Sequence, residues 1–137
     1  MTATVTYRGN DYNEFHHEYS GVVAIPAAVS YYGESYSVTA IGNYAFYDCS
    51  SLFFVTIPSS VTVIGESAFY GCRGLSSITI PGSVKTIGSS AFSDCSNLIS
   101  VTIPSSVTEI GGGAFADCSR LKEVYCFAEV IPSTGYD

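Results

Sequence analysis

The sequence predicts a right-handed solenoid, a stack of β-rich coils with one short helical turn per coil and a parallel sheet on one face. Three observations carry this expectation. A unit of 23 residues recurs four times without insertion over 38–129. Within it, seven columns hold the same residue in every copy, so each coil offers the same side chains to a shared core. In the first three copies a proline and a short Ser-Ser or Gly-Ser turn follow the same apolar run, where a strand has to end.

The four units are VTAIGNYAFYDCSSLFFVTIPSS, VTVIGESAFYGCRGLSSITIPGS, VKTIGSSAFSDCSNLISVTIPSS and VTEIGGGAFADCSRLKEVYCFAE. Their invariant columns begin at Val38, Ile41, Gly42, Ala45, Phe46, Cys49 and Leu52. A period of 23 with Leu-x-x-Val/Ile-x-Ile falls within the leucine-rich class, in which stacking buries a core that no single coil buries alone.

Residues 1–37 lack the period and read as an N-terminal cap with β-hairpins. One alternation centres on Gly33-Glu34, and a looser one over 4–15 centres on Gly9-Asn10. Inside the cap, Val23-Ala24-Ile25-Pro26 mimics Val55-Thr56-Ile57-Pro58. In each coil, Leu-x-x-Val-x-Ile reads as a strand with Leu, Val and Ile inward, and Val-x-x-Ile-Gly as a second short extended piece. Gly42, Gly65, Gly88 and Gly111 are expected at corners with positive φ. Ala-Phe-x-x-Cys then makes about one helical turn, and parallel connections of this kind wind right-handed. Residues 130–137 read as a truncated C-terminal end, so the native protein is expected to continue; MTATVTYRGN is no secretory signal, so either the protein is cytosolic or an export signal lies upstream of Met1, and the mid-domain look of the sequence after Met1 favours the second.

Composition narrows the function. The formal charge is −7 with only five Lys and Arg, which disfavours nucleic acid and anionic membrane surfaces as partners. No run of 18 apolar residues is present, so membrane insertion is not expected.

The unit resembles the BspA-like leucine-rich repeat family over residues 21 to about 132, on the pattern Val-x-x-Ile-Gly-x-x-Ala-Phe-x-x-Cys-x-x-Leu-x-x-Ile-x-Ile-Pro-x-Ser. The resemblance implies a solenoid that binds protein at bacterial surfaces, often a host matrix protein or another cell-surface protein, in a secreted or surface-anchored chain. It implies no catalytic residue, no cofactor and no particular ligand.

The residues themselves supply no catalytic constellation. Four cysteines at a spacing of 23 form a ladder whose Cβ vectors point the same way, poorly suited to disulfides, so buried thiols are expected, with Cys126 also in the core. There is no Cys-x-x-Cys, and His16 and His17 are adjacent on an extended segment, facing opposite ways, which disfavours a shared metal. No nucleophile elbow and no phosphate loop occur, so the chain is read as a non-enzyme.

Function is therefore sought in the outward columns. The first holds Phe53, Ser76, Ile99 and Lys122, the second Phe54, Ser77, Ser100 and Glu123, the third Thr56, Thr79, Thr102 and Tyr125. Phe53, Phe54, Ile99, Tyr125 and Lys122 are the candidate protein-binding residues. Two readings of the phenylalanines stand at this point: a recognition patch, or residues buried by a tyrosine-rich hairpin (Tyr31, Tyr32, Tyr36) folding over the first strand. Besides an adhesion or protein-binding module, the sequence admits a structural spacer in a longer surface protein, and a carbohydrate-binding module using the aromatic positions.

Overall fold

The computed structural model describes residues 1–6 and 19–128, and the backbone of 133–134. Among these described residues the strands follow in order: β1 (Thr2–Val5), β2 (Gly21–Ala24), β3 (Ala28–Tyr31), β4 (Glu34–Ile41), β5 (Leu52–Thr56), β6 (Val63–Ile64), β7 (Ser77–Thr79), β8 (Thr86–Ile87), β9 (Ser100–Ile103), β10 (Glu109–Ile110), β11 (Glu123–Cys126) and β12 (Ser133–Thr134). Each coil contributes to two parallel ladders. The Leu-x-x-Val/Ile strands form β2-β5 and β7-β9-β11, and the shorter extended pieces form β1-β4-β6-β8-β10-β12. The second ladder, expected as one short extended piece per coil, is thus the longer of the two. Among the described residues the one antiparallel pair is the hairpin β3–β4.

The repeated columns are buried because each residue sits between copies of itself. Leu52, Leu75 and Leu98, Ile41, Ile64 and Ile87, and Phe46, Phe69 and Phe92 are all sealed from solvent. Full burial of such a side chain stabilises by about 1.5–3 kcal/mol. The phenylalanines stack almost parallel, with centroids 4.9, 5.2 and 5.3 Å apart from Phe46 through to Phe115. Serine reinforces the spacing: the hydroxyls of Ser60, Ser83 and Ser106, each closing a 23-residue unit, donate to the carbonyls of Val38, Val61 and Val84 that open it, at 2.6, 2.6 and 2.7 Å.

The Ala-Phe-x-x-Cys segment is a chain of turns rather than a helix, and its amides explain why. Ala45, Tyr47 and Cys49 donate within the coil to Gly42, Tyr44 and Phe46, three residues back. Alternating with them, Tyr44, Phe46 and Asp48 donate across to Glu66, Ala68 and Tyr70 of the next coil, at 3.0, 2.7 and 2.6 Å. A helix would keep every amide inside its own segment. Here every second one stitches two coils together.

That pattern moves the left-handed positions away from where the sequence suggested them. Positive φ occurs at Tyr44, Ser67, Ser90 and Gly113, and at Asp48, Gly71, Asp94 and Asp117. The glycines at 42, 65, 88 and 111 are not in that region and are required for space instead. A Cβ on Gly65 would lie 2.5 Å from Asn43 Oδ1, one on Gly88 2.6 Å from the Glu66 nitrogen, and one on Gly111 2.2 Å from the Ser89 nitrogen.

The cysteine ladder is reduced and hydrogen-bonded. Cys72, Cys95 and Cys118 each donate Sγ–H to the carbonyl of Phe46, Phe69 and Phe92, at 3.1, 3.2 and 3.1 Å. Burial, the largest cause, pushes all three thiols above the usual range. Cys126 departs from expectation and is exposed. Its register is the inward one, opposite Ile103, but among the described residues no further strand lies on the outer side of β11. For the same reason Val124 is 53% exposed where Val101, its partner in β9, is 1%.

At the N-terminal end, β1 and β2 extend the two ladders in parallel, and the Tyr19 ring lies 4.8 Å from Phe46 at the end of the aromatic stack. The hairpin turns at Tyr32-Gly33, one residue earlier than the sequence alternation suggested. Both turn residues have positive φ, the geometry of a type I′ turn. The boundary drawn at 37/38 falls inside β4. The second expected hairpin, around Gly9-Asn10, and the pair His16-His17 lie outside the described residues.

Candidate protein-recognition face

β5 carries the sequence LFFVT, with Leu52 and Val55 buried and Phe53, Phe54 and Thr56 exposed. Two consecutive outward side chains break the period of two that an extended strand imposes. The same break recurs at Ser76-Ser77 and Ile99-Ser100, so it belongs to the Leu-x-x-Val unit itself, and the pairing with β2 accommodates it. Gly21 lies opposite Leu52 and Val22 opposite Phe54, so Phe53 is an extra residue in β5. A bulge of this kind re-aims side chains next to it. Phe53 is 58% exposed and Phe54 40%.

The tyrosine-rich hairpin does not cover them. Tyr31 and Tyr32 are themselves exposed, packed edge to face on each other at 4.4 Å. The cap instead widens the patch, because Val22, 73% exposed, stands beside Phe54 in register. On the other side Gly74 makes room: a Cβ there would be 3.1 Å from Phe53 Cδ1 and 2.6 Å from the Ser50 carbonyl. Neither Val22 nor Gly74 was singled out in the sequence. Val22 was within reach, since matching Val23 to Val55 places Val22 in the Phe54 column.

The remaining candidates sit farther along. Exposed Ser76 separates Phe53 from Ile99 in the first column, a distance of two coil steps, or about 10 Å at the usual strand spacing. Ile99 is exposed, as are Lys122 and Tyr125 in and beside β11. Tyr125 donates its hydroxyl to Glu123 Oε2 at 2.9 Å, and that hydrogen bond raises the phenol above its usual range. The five candidates therefore divide into Phe53 and Phe54 beside Val22, and Ile99, Lys122 and Tyr125 toward the far edge, near exposed Val124 and Phe127.

Chemically, the first cluster offers apolar area flanked by Ser76, Ser77 and Thr56, with no charged group in those columns until Lys122 and Glu123. Such a surface binds by losing water rather than by reacting. Among the described residues no group of three His, Cys, Asp or Glu side chains is placed to hold a metal ion, and no helix is long and apolar enough to cross a membrane.

Comparison with known proteins agrees with the coil geometry. The profile of the BspA type leucine rich repeat region matches residues 32–134 in six copies, reaching from the hairpin to β12. A leucine-rich repeat protein from Bacteroides ovatus is 37% identical, with a TM-score of 0.64 over 76% of this chain and 33% of its own. This chain thus spans about a third of that protein's length. A leucine-rich repeat protein from Bacteroides capillosus is 32% identical, with a TM-score of 0.75 over 91% of this chain and 86% of its own. One from T. pallidum is 28% identical, with a TM-score of 0.66 over 88% and 62%. No functionally curated protein shows detectable sequence similarity. The invariant columns, the stacked coils and these matches agree that the chain belongs to the BspA-type leucine-rich repeat family.

Proposed function

We propose that this solenoid is a non-enzymatic protein-binding module of a secreted or surface-anchored chain, and that it recognises its partner through the outward face of β2 and β5. The observation that carries the reading is the pair of large aromatic side chains, Phe53 and Phe54, exposed beside Val22 in register. Exposed aromatics of this kind are common interface anchors. A location outside the cytoplasm, with a host matrix or cell-surface protein as partner, follows from the family resemblance. A spacer role within a longer protein is the second reading, favoured by the small share of the Bacteroides ovatus protein that the chain spans.

The test is the double substitution Phe53→Ser and Phe54→Ser, which installs the residues found at Ser76 and Ser77. Binding to a panel of extracellular-matrix proteins would be measured by surface plasmon resonance. Affinity for the captured partner is expected to fall at least about tenfold. Unchanged affinity assigns recognition elsewhere and leaves the spacer reading.

A further inference from the structure

A second aromatic feature lies on the turn side of the coils, away from β5. Tyr47 and Tyr70 occupy one column in successive coils, their rings stacked at 5.0 Å and 8°. The neighbouring phenylalanine stack runs unbroken through four coils, but this one stops after two. The third place is taken by Ser93, short and buried, and the fourth by Ala116. Half-buried Tyr70 therefore projects beyond the next residue of its column, and the ring face toward the third coil has no aromatic partner among the described residues.

Beside that missing rung stands a fixed polar pair. Arg73 Nε donates to Asp94 Oδ2 at 3.0 Å, and Nη2 donates to the same oxygen. Asp94 Oδ1 and Arg73 Nη1 are left without a hydrogen-bond partner among the described residues. The pair spans the coil step that Tyr70 overhangs, since Asp94 follows Ser93 and Arg73 follows Tyr70 by three residues. Tyr70 lies near the guanidinium, as does the Asp48 carboxylate.

We infer that this shelf is a carbohydrate-binding site, where a neutral pyranose stacks on Tyr70 in place of the missing third ring and Asp94 and Arg73 hold its hydroxyls. A sugar ring presents axial C–H groups to the negative face of an aromatic ring. Its hydroxyls both donate and accept, matching an acceptor at Asp94 Oδ1 and a donor at Arg73 Nη1. A cationic side chain fits less well, because Arg73 already pairs with the Asp94 carboxylate. An apolar side chain would leave the ion pair unused. The site shares no residue with the β5 face.

The experiment follows the ring resonances of Tyr47 and Tyr70 in tyrosine-labelled protein by NMR. Cellotetraose, xylotetraose and mannotetraose are titrated to about 10 mM. At least one is expected to shift Tyr70, with affinity falling about tenfold in Tyr70→Ser and in Asp94→Asn, and holding in Tyr70→Phe and in the Phe53→Ser, Phe54→Ser double variant. Asn suits the left-handed φ at 94, so Asp94→Asn tests the site even if Tyr70→Ser fails to fold. Three results overturn the assignment: no shift of Tyr70 with any sugar, binding that survives Asp94→Asn unchanged, or a shift produced by acetyl-arginine amide while the sugars stay silent.

Discussion

Gly88→Ala is expected to destabilise the solenoid by about 3–5 kcal/mol, because the added methyl group has nowhere to go. Its carbon would stand 2.6 Å from the Glu66 nitrogen and 2.8 Å from the Gly65 carbonyl oxygen, where ordinary contact begins at 3.4 Å. Both neighbours are backbone, so the third coil must lift from the second by roughly 0.8 Å. Overpacking of that kind costs about 1–3 kcal/mol. The lift also strains two bonds that stitch the coils, Gly88 N–H to Ile64 at 2.8 Å and Ser67 N–H to Ser89 at 2.9 Å. Each contributes on the order of 1 kcal/mol. Gly82→Ala is the control, since a Cβ there meets nothing within 4 Å, and its effect should stay within about 0.5 kcal/mol. Urea unfolding followed by circular dichroism measures both. Gly88→Asn separates the two explanations for glycine: if φ were the reason, Asn would be tolerated better than Ala, whereas crowding makes it at least as harmful. A Gly88→Ala protein within about 1 kcal/mol of Gly82→Ala would refute the crowding argument.

Gly74→Ala crowds the Ser50 and Leu52 carbonyls and the Phe53 ring, so a loss of about 1–3 kcal/mol should accompany a displaced Phe53 ring resonance in NMR. Ser83→Ala removes the 2.6 Å bond to Val61 and should cost about 1 kcal/mol by urea unfolding. The buried thiols make stability fall in alkali. Cys72 and Cys95 stay protonated in the folded state but ionise in the unfolded chain above about pH 8.5. The unfolded state then binds fewer protons, so each thiol removes up to about 1.4 kcal/mol per pH unit above that point. Urea midpoints between pH 7 and 10 should show a decline that Cys72→Val and Cys95→Val reduce; an identical decline in those variants would show that other groups cause it.

The parts of this fold legible in the sequence were those that repeat. Leu52, Ile41, Phe46 and Cys49 each recur in four copies, and a column that never varies leaves little doubt about which way it points. The hairpin was legible because alternation and Gly33 coincide. Less legible was anything set by contact between coils. Gly65 and Gly88 look the same whether glycine is needed for positive φ or for space, and only the stacked neighbour tells which. Of the true left-handed positions, Tyr44, Ser67 and Ser90 give no such signal, whereas Asp48, Gly71, Asp94, Gly113 and Asp117 are types that adopt it readily. A helical turn and a chain of cross-coil turns share the same apolar spacing at Ala45, Phe46 and Cys49, and differ only in where alternate amides bond. The outward register of Phe53 and Phe54 followed from the columns. Their separation from Ile99 and Tyr125 depended on the serine step at Ser76 and Ser77, and the exposure of Cys126 on the absence of a described strand beyond β11.

The central claim, that a protein partner is held on the outward face of the Leu-x-x-Val strands, is tested most directly by photo-crosslinking. A benzophenone side chain is placed at Ser76, beside the Phe53 patch, and in a second protein at Thr62, exposed on the side of the β6 ladder. With the captured matrix protein bound, irradiation should give a covalent adduct from position 76 and none from position 62. An adduct from position 62 alone would contradict the account.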